Sequence, residues 1–458
     1  MRIFFVGDNQ AGANWGRGAS LALLRLLSSR FEISGRVAGD FFVLDQAPVG
    51  YVGGALPAAC DPLARWVLIH RYRHRVVSWG ARLLQLLGAR DFVSEDPVRS
   101  VDRLVANRSR HPALARIYQQ ARDADLMVID GDGDIIFSTP PRRETLFLLA
   151  AMELGLRLGK PVFLVNSMIS DCPLSGRNAQ TLATTARLLA RCAAVALRDP
   201  ESLAYVQTEM PGVNCRCIPD SLFSWSPLLA DALPPGNGDF LLPYPEQDGL
   251  WGTLDFSRPY LCVGGGALAA SQPEKSVPAY VRLVETLRGL GCPVYLTEND
   301  TPDAFLRQVA AATGAGLVPA HTSILMAGAI LAHARLFVSG RYHPSILAAL
   351  GGTPCIFLGS HAHKMRSLAR LLDYPGAGEF HATPDPAGVA AIAARARDYL
   401  EQGDALRARI RAVAKRRCDE AAGLPAYIEQ HAGQPGPASG RAPEPPAPGR
   451  PGPVRRAS

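Results

Sequence analysis

Short apolar runs that break into a glycine- or acid-rich turn and then a helix-periodic segment recur along this chain, and that rhythm restricts its fold more than any other feature. It begins with "IFFVG", turns through "DNQAGANWGRGAS" and enters "LALLRLLSS". It returns in "DLMVIDGDGD" with the helix "ETLFLLAAMELGLRLG", in "PVFLVN" with a helix around Ala179 to Cys192, and in "AAVALRD". Strands that are apolar throughout are buried on both faces. Their alternation with helices predicts a parallel sheet covered on each side.

A loop rich in Pro and Gly from about Ser226 to Ser257 precedes a second series: "PYLCVGGGA", "PVYLTEND", "ARLFVSGRYHPSILAALGG" and "TPCIFLGS", with helices between. With 458 residues, the chain exceeds what one core usually serves. The expected architecture is α/β, with two Rossmann-like domains. Residues 1–225 form the first, with a mostly helical insertion at about 61–125; 226–257 are a linker, and 258–432 form the second. The insertion includes "LARWVLIHRYRHRVVSWGARLLQLLG", whose basic and apolar mix suits peripheral contact with the inner membrane surface or a half-buried helix with a solvated basic face. Residues 433–458 are so rich in Pro, Gly and Ala that disorder is expected.

Charge narrows the partners. That tail holds Arg441, Arg450, Arg455 and Arg456 against Glu444, so it carries +3 of the net +7 and leaves +4 on the folded body. So mild an excess favours anionic small molecules and speaks against nucleic acid. The nine cysteines include no C-x-x-C pair or zinc spacing and read as thiols of a reducing compartment. The apolar start "MRIFFVGDNQ" is too short for a signal peptide's hydrophobic region, and no apolar run approaches the roughly 18 residues of a membrane span. A cytoplasmic protein is the expectation.

The segment "VIDGDGDIIFS" poses the sharpest chemical question. Counted from Asp130 as a calcium loop, it puts Ile135 and Pro141 where glycine and glutamate are required. Three carboxylates also make a poor phosphate cradle. An acidic turn at the carboxyl end of a strand remains, the edge where open α/β sheets bind ligands. Asp132 is then the working carboxylate and Asp130 a partner for backbone amides; the competing reading is an Asp-Gly turn with local bonds only.

"RDPESL" at Arg198 to Leu203 and "SGRYHPSILAALGGTPCIFLGSHAHK" at Ser339 to Lys364, with "NWGRGAS", "DGDGDIIF" and "CIPDSLF", resemble the polysaccharide pyruvyl transferase family in order across residues 1 to about 375. The resemblance implies a two-lobed, GT-B-like glycosyltransferase fold and transfer of a pyruvyl group from phosphoenolpyruvate to hydroxyls of a sugar or lipid-linked glycan, forming a ketal and releasing phosphate. Arg17 departs from the family's N-x-G-D, and "SMISDCPL" from its Q-x-x-G-P type turn.

Such chemistry requires a base for the hydroxyl, an acid for the methylene carbon, and cations for carboxylate and phosphate. Asp132 is the candidate base and His343, at a strand-to-helix junction, the candidate acid. Arg341 offers a planar fork and Lys364 a point charge. Arg198 either reaches across the cleft or pairs locally with Glu201, while Asp199 caps the helix that follows. Gly264, Gly265 and Gly266 allow close approach of a donor, and three glycines without the G-x-G-x-x-G spacing argue against a dinucleotide. Asn14, Gly16 and Asn166 are candidates for holding the acceptor. No cofactor and no metal are called for. A nucleotide-sugar glycosyltransferase and a non-catalytic glycan-binding protein using the tail as contact segment are the alternatives.

Overall fold

The computed structural model describes residues 1–9, 15–39, 41, 43, 90–230, 254–320, 322–374 and 378–433. Residues 61–89 of the proposed insertion, most of the linker and nearly all of the tail therefore lie outside the described residues, and the rest of the insertion holds the helices Pro97–Asn107 and Pro112–Asp123.

Two parallel sheets organise the chain. The first runs β2-β1-β3-β5-β7-β8, from Glu32–Val37, Arg2–Val6, Leu126–Asp130, Val162–Ser167, Ala194–Leu197 and Cys215–Cys217. The second runs β11-β10-β9-β12-β13, from Gly316–Val318, Val294–Thr297, Leu261–Gly266, Leu336–Gly340 and Cys355–Phe357. Strands β3, β5, β7, β9 and β12 are buried at every residue, as their unbroken apolar runs require. A small parallel pair, β4 (Ile135–Phe137) and β6 (Ile169–Asp171), extends the turns that leave β3 and β5.

Helices tie the two lobes together. Trp15, Ala19 and Ala22, at the start of helix Arg17–Ser28, are buried in the core of the second sheet. The long helix Pro386–Ala421, kinked at Gly403, leads to helix Leu424–Ala432. Leu424, Tyr427 and Ile428 pack with Ile3, Phe5 and Val165 on one face of the first sheet. The sequence reading put everything to 432 in the later lobe. The last helix instead returns to the earlier one, because its apolar face fills a surface that β1 and β5 leave open. Ser226–Ala230, read as loop, is helical and continues the 3-10 turn Ser221–Trp225.

A buried polar latch closes the junction. Asp199 caps helix Pro200–Glu209 by accepting from Ser202 N at 2.8 Å, and also accepts Ser367 Oγ of the second lobe at 2.8 Å, with His363 Nε2 at 3.2 Å. Burial opposes the Asp199 charge, but His363 and Ser202 keep its carboxyl below the usual range. Glu201 is held by Arg366 and Arg370, so it is not the partner of Arg198. Asp199→Ala removes a cap and strands Ser367 and His363, and a loss of about 2–4 kcal/mol in urea unfolding is expected.

Candidate active site

Parallel strands end on one edge, and here the two edges face a cavity of about 540 Å³. Asp132 and Asp134 follow β3, Arg198 follows β7, Asn299 and Asp300 follow β10, Arg341 and His343 follow β12, and His361 and Lys364 follow β13; all line this space. A strand end fixes its backbone by ladder bonds while freeing the next residue to turn. At Asp132 the turn reaches φ 37°, the left-handed region that aspartate tolerates, with Asp130 Oδ1 accepting Asp132 N at 3.2 Å and Asp132 O accepting Met168 N at 2.7 Å.

Arg198 is the hub. Only 1% exposed, it donates through Nη1 to Asp132 Oδ1 at 2.5 Å and to Asp220 Oδ2 at 3.2 Å, and its guanidinium carbon lies 4.3 Å from the Tyr342 ring centroid. His343 of the later lobe completes the cluster across the gap: its Nε2 lies 3.4 Å from Arg198 Nη1, 3.5 Å from Asp220 Oδ2 and 3.6 Å from Asp132 Oδ1. The Arg341 fork is gripped by fully buried Asp303 at 2.7–3.2 Å. Lys364 differs from these cations, because it donates no hydrogen bond and joins no ion pair among the described residues.

The electrostatics separate two carboxylates that the sequence places side by side. Burial would raise Asp132, but Arg198, His343 and Lys364 outweigh it and hold its carboxyl at about 2. Burial together with the Asp132 charge raises Asp134 to about 6, against the pull of Arg142, whose Nη2 lies 3.2 Å away. Lys364 is lowered to about 8 by burial and by Arg198 and Arg341. Asp132 was expected to be the base. A carboxylate so strongly stabilised as the anion is a weak proton acceptor, and its position suits it to hold Arg198 and His343. Asp134 is the carboxyl poised near neutrality.

The other expected site residues fall into different places. A Cβ on Gly265 would stand 2.2 Å from Asp303 Oδ1, and one on Gly266 3.3 Å from Gly340 Cα, so the close approach at Gly264, Gly265 and Gly266 is to the protein's own atoms. Asn166 is turned inward, donating to Asp130 Oδ1 at 3.3 Å and accepting Ser221 N at 2.9 Å, which corrects its expected role at the acceptor. Gly16 lines the cavity, and Asn14 lies outside the described residues. Asp220, Asp303, Asp134, Arg142, His361 and Asn299 were missed. Of these, Asp134, Asp220 and His361 stood within quoted motifs and Asn299 at the end of the quoted strand "PVYLTEND", while Asp303 carries no local signal. Among the described residues, no group of three or more His, Cys, Asp or Glu is placed to hold a metal ion, and no helix is long and apolar enough to cross a membrane.

A family model for polysaccharide pyruvyl transferases matches residues 56–362. No curated protein matches the chain. Among solved structures, a Listeria monocytogenes protein assigned as a UDP-N-acetylglucosamine 2-epimerase shares 10% identity at a TM-score of 0.52, covering 96% of this chain and 98% of its own. UDP-GlcNAc 2-epimerase from Neisseria meningitidis bound to UDP-GlcNAc shares 9% at 0.50, covering 94% and 99%. Medicago truncatula UGT71G1 complexed with UDP-glucose shares 11% at 0.50, covering 94% and 98%. Likeness this distant identifies the fold alone, the GT-B arrangement of two facing Rossmann-like lobes.

Proposed function

The chain belongs to the polysaccharide pyruvyl transferase family and is a transferase, and from that premise we propose that it moves the pyruvyl group of phosphoenolpyruvate onto two hydroxyls of one sugar unit in a glycan or lipid-linked precursor. The observation that carries the donor assignment is Lys364, a cavity-lining ammonium with no protein partner among the described residues, flanked by Arg198 and Arg341. Two anionic groups on one small donor suit such a cluster. Helix Tyr342–Leu350 also starts at the cavity without a side-chain cap, leaving the Tyr342 and His343 backbone N–H groups for phosphate, whereas on helix Lys364–Leu371 the Glu379 carboxylate already accepts Arg366 N.

The chemistry then divides among the residues. His343 gives a proton to the methylene carbon of the enol, making its neighbour electrophilic. Asp134 takes the proton of the attacking hydroxyl as the first C–O bond forms. The second hydroxyl displaces phosphate, which leaves with that hydroxyl's proton, so one ketal and one hydrogen phosphate result. Asp132 and Asp220 hold Arg198 and His343 at the reacting carbon. Lys364→Met is expected to weaken phosphoenolpyruvate binding about 10- to 100-fold in calorimetry. Wild-type protein that binds a nucleoside diphosphate and not phosphoenolpyruvate would replace this reading with nucleotide-sugar transfer.

A further inference from the structure

We propose that His361 is a second proton acceptor of the site, taking the proton of the second sugar hydroxyl and handing it to the departing phosphate oxygen. This role rests on the pyruvyl-transfer reading above, in which Asp134 serves the first hydroxyl and no residue yet serves the second. A ketal joins two oxygens to one carbon, so two hydroxyl protons must leave. His361 lines the cavity together with Ala267, Arg341 and Lys364. Their strands converge there: a Cβ on Gly340, at the end of β12, would stand 3.2 Å from Gly266 Cα of β9 and 3.2 Å from Gly359 O just beyond β13. Ala362 packs against Ile136 and Met168 of the earlier lobe, which brings the loop beside the turn that carries Asp134.

The ring is held and tuned for such a task. A hydrogen bond to the Ala267 backbone favours the protonated ring, as a carbonyl acceptor does, and so fixes an N–H on that side. The imidazole makes no other hydrogen bond among the described residues, and its remaining nitrogen carries a lone pair in the neutral form. Burial, Lys364, Arg142 and Arg341 outweigh the Ala267 bond and hold the ring below the usual histidine range, so it is neutral and proton-accepting at pH 7. His363, two residues on, turns instead into the latch at Asp199 and Ser202. Arg142, whose Nη2 lies 3.2 Å from Asp134 Oδ1, is among the charges acting on His361, so one cation borders both proton acceptors. Lys364 and Arg341, assigned above to the donor, also adjoin the ring. The nitrogen that accepts the hydroxyl proton can therefore return it to the phosphate oxygen as the bond from that oxygen to the ketal carbon breaks. The imidazole ends neutral, and the products are one ketal and one hydrogen phosphate.

The test uses the full-length protein with phosphoenolpyruvate and a panel of methyl hexopyranosides. It follows phosphate release, donor binding by calorimetry, and entry of deuterium from heavy water into the methylene group of recovered phosphoenolpyruvate. Deuterium enters when the first addition forms and reverses, so it reports the steps before His361 acts. His361→Gln is expected to lower phosphate release about 10²–10³-fold, to retain deuterium entry, and to keep the phosphoenolpyruvate Kd within about twofold. Undiminished phosphate release in this variant overturns the proposal. So does loss of deuterium entry together with phosphate release, which places the residue in the first step or in the fold. A Kd weakened about tenfold or more also overturns it, because His361 is then a ligand of the donor. Wild type that releases no phosphate with any hexopyranoside removes the pyruvyl-transfer reading and this role with it, whereas failure confined to His361→Gln leaves that reading in place.

Discussion

Arg198→Met is expected to lower the rate of phosphate release by about 10²–10³-fold and the unfolding free energy by about 3–5 kcal/mol. Methionine roughly fills the volume, so the loss is electrostatic rather than a cavity. What remains is Asp220, 0% exposed, and Asp132, both without the guanidinium that offsets their burial. The two effects are separable. Arg198→Met combined with Asp132→Asn and Asp220→Asn leaves no stranded charge, and urea unfolding should show much of the stability regained while turnover stays low. Recovery of turnover in the triple variant would mean that Arg198 only braces the fold. Survival of both stability and turnover in the single variant would remove the cluster from the mechanism.

The cluster also marks where sequence reading reaches its limit. Arg198, Arg341, His343 and Lys364 were legible because each follows an apolar strand run, and a parallel sheet delivers such residues to one edge. Their partners were not. Asp220 lies 22 residues from Arg198, and Asp303 lies 38 from Arg341, and no periodicity joins them. Nor can a sequence rank Asp132 against Asp134. The cation that lowers the first is 66 residues away, and the charge that raises the second is the first itself. On the fold side, buried strands such as β3 and β5 declare themselves. "CRC" of β8 does not, because at the sheet's edge it alternates half-buried and exposed positions and carries a charge. The return of helix Leu424–Ala432 to the first sheet is a tertiary choice, made by contacts with Ile3, Phe5 and Val165 that lie far away in sequence.

The relation between the two aspartates predicts how activity responds to pH. With Asp134 as the base, turnover should rise through a limb near 6, where its carboxyl becomes the proton-accepting anion. It should fall above about 8, where Lys364 loses the charge that holds the donor. Asp134→Asn cannot accept a proton, so kcat should drop about 10²–10⁴-fold, and the acid limb should vanish from what remains. Lys364→Met should erase the alkaline limb and raise KM for phosphoenolpyruvate while the acid limb stays. Asp132→Asn supplies the sign check. Its charge is one of the causes that lift Asp134, so neutralising it should move the acid limb to lower pH, even as the loss of the Arg198 contact slows the reaction. An acid limb that survives unchanged in Asp134→Asn assigns proton acceptance to another group. A limb that moves upward in Asp132→Asn reverses the coupling on which the assignment rests.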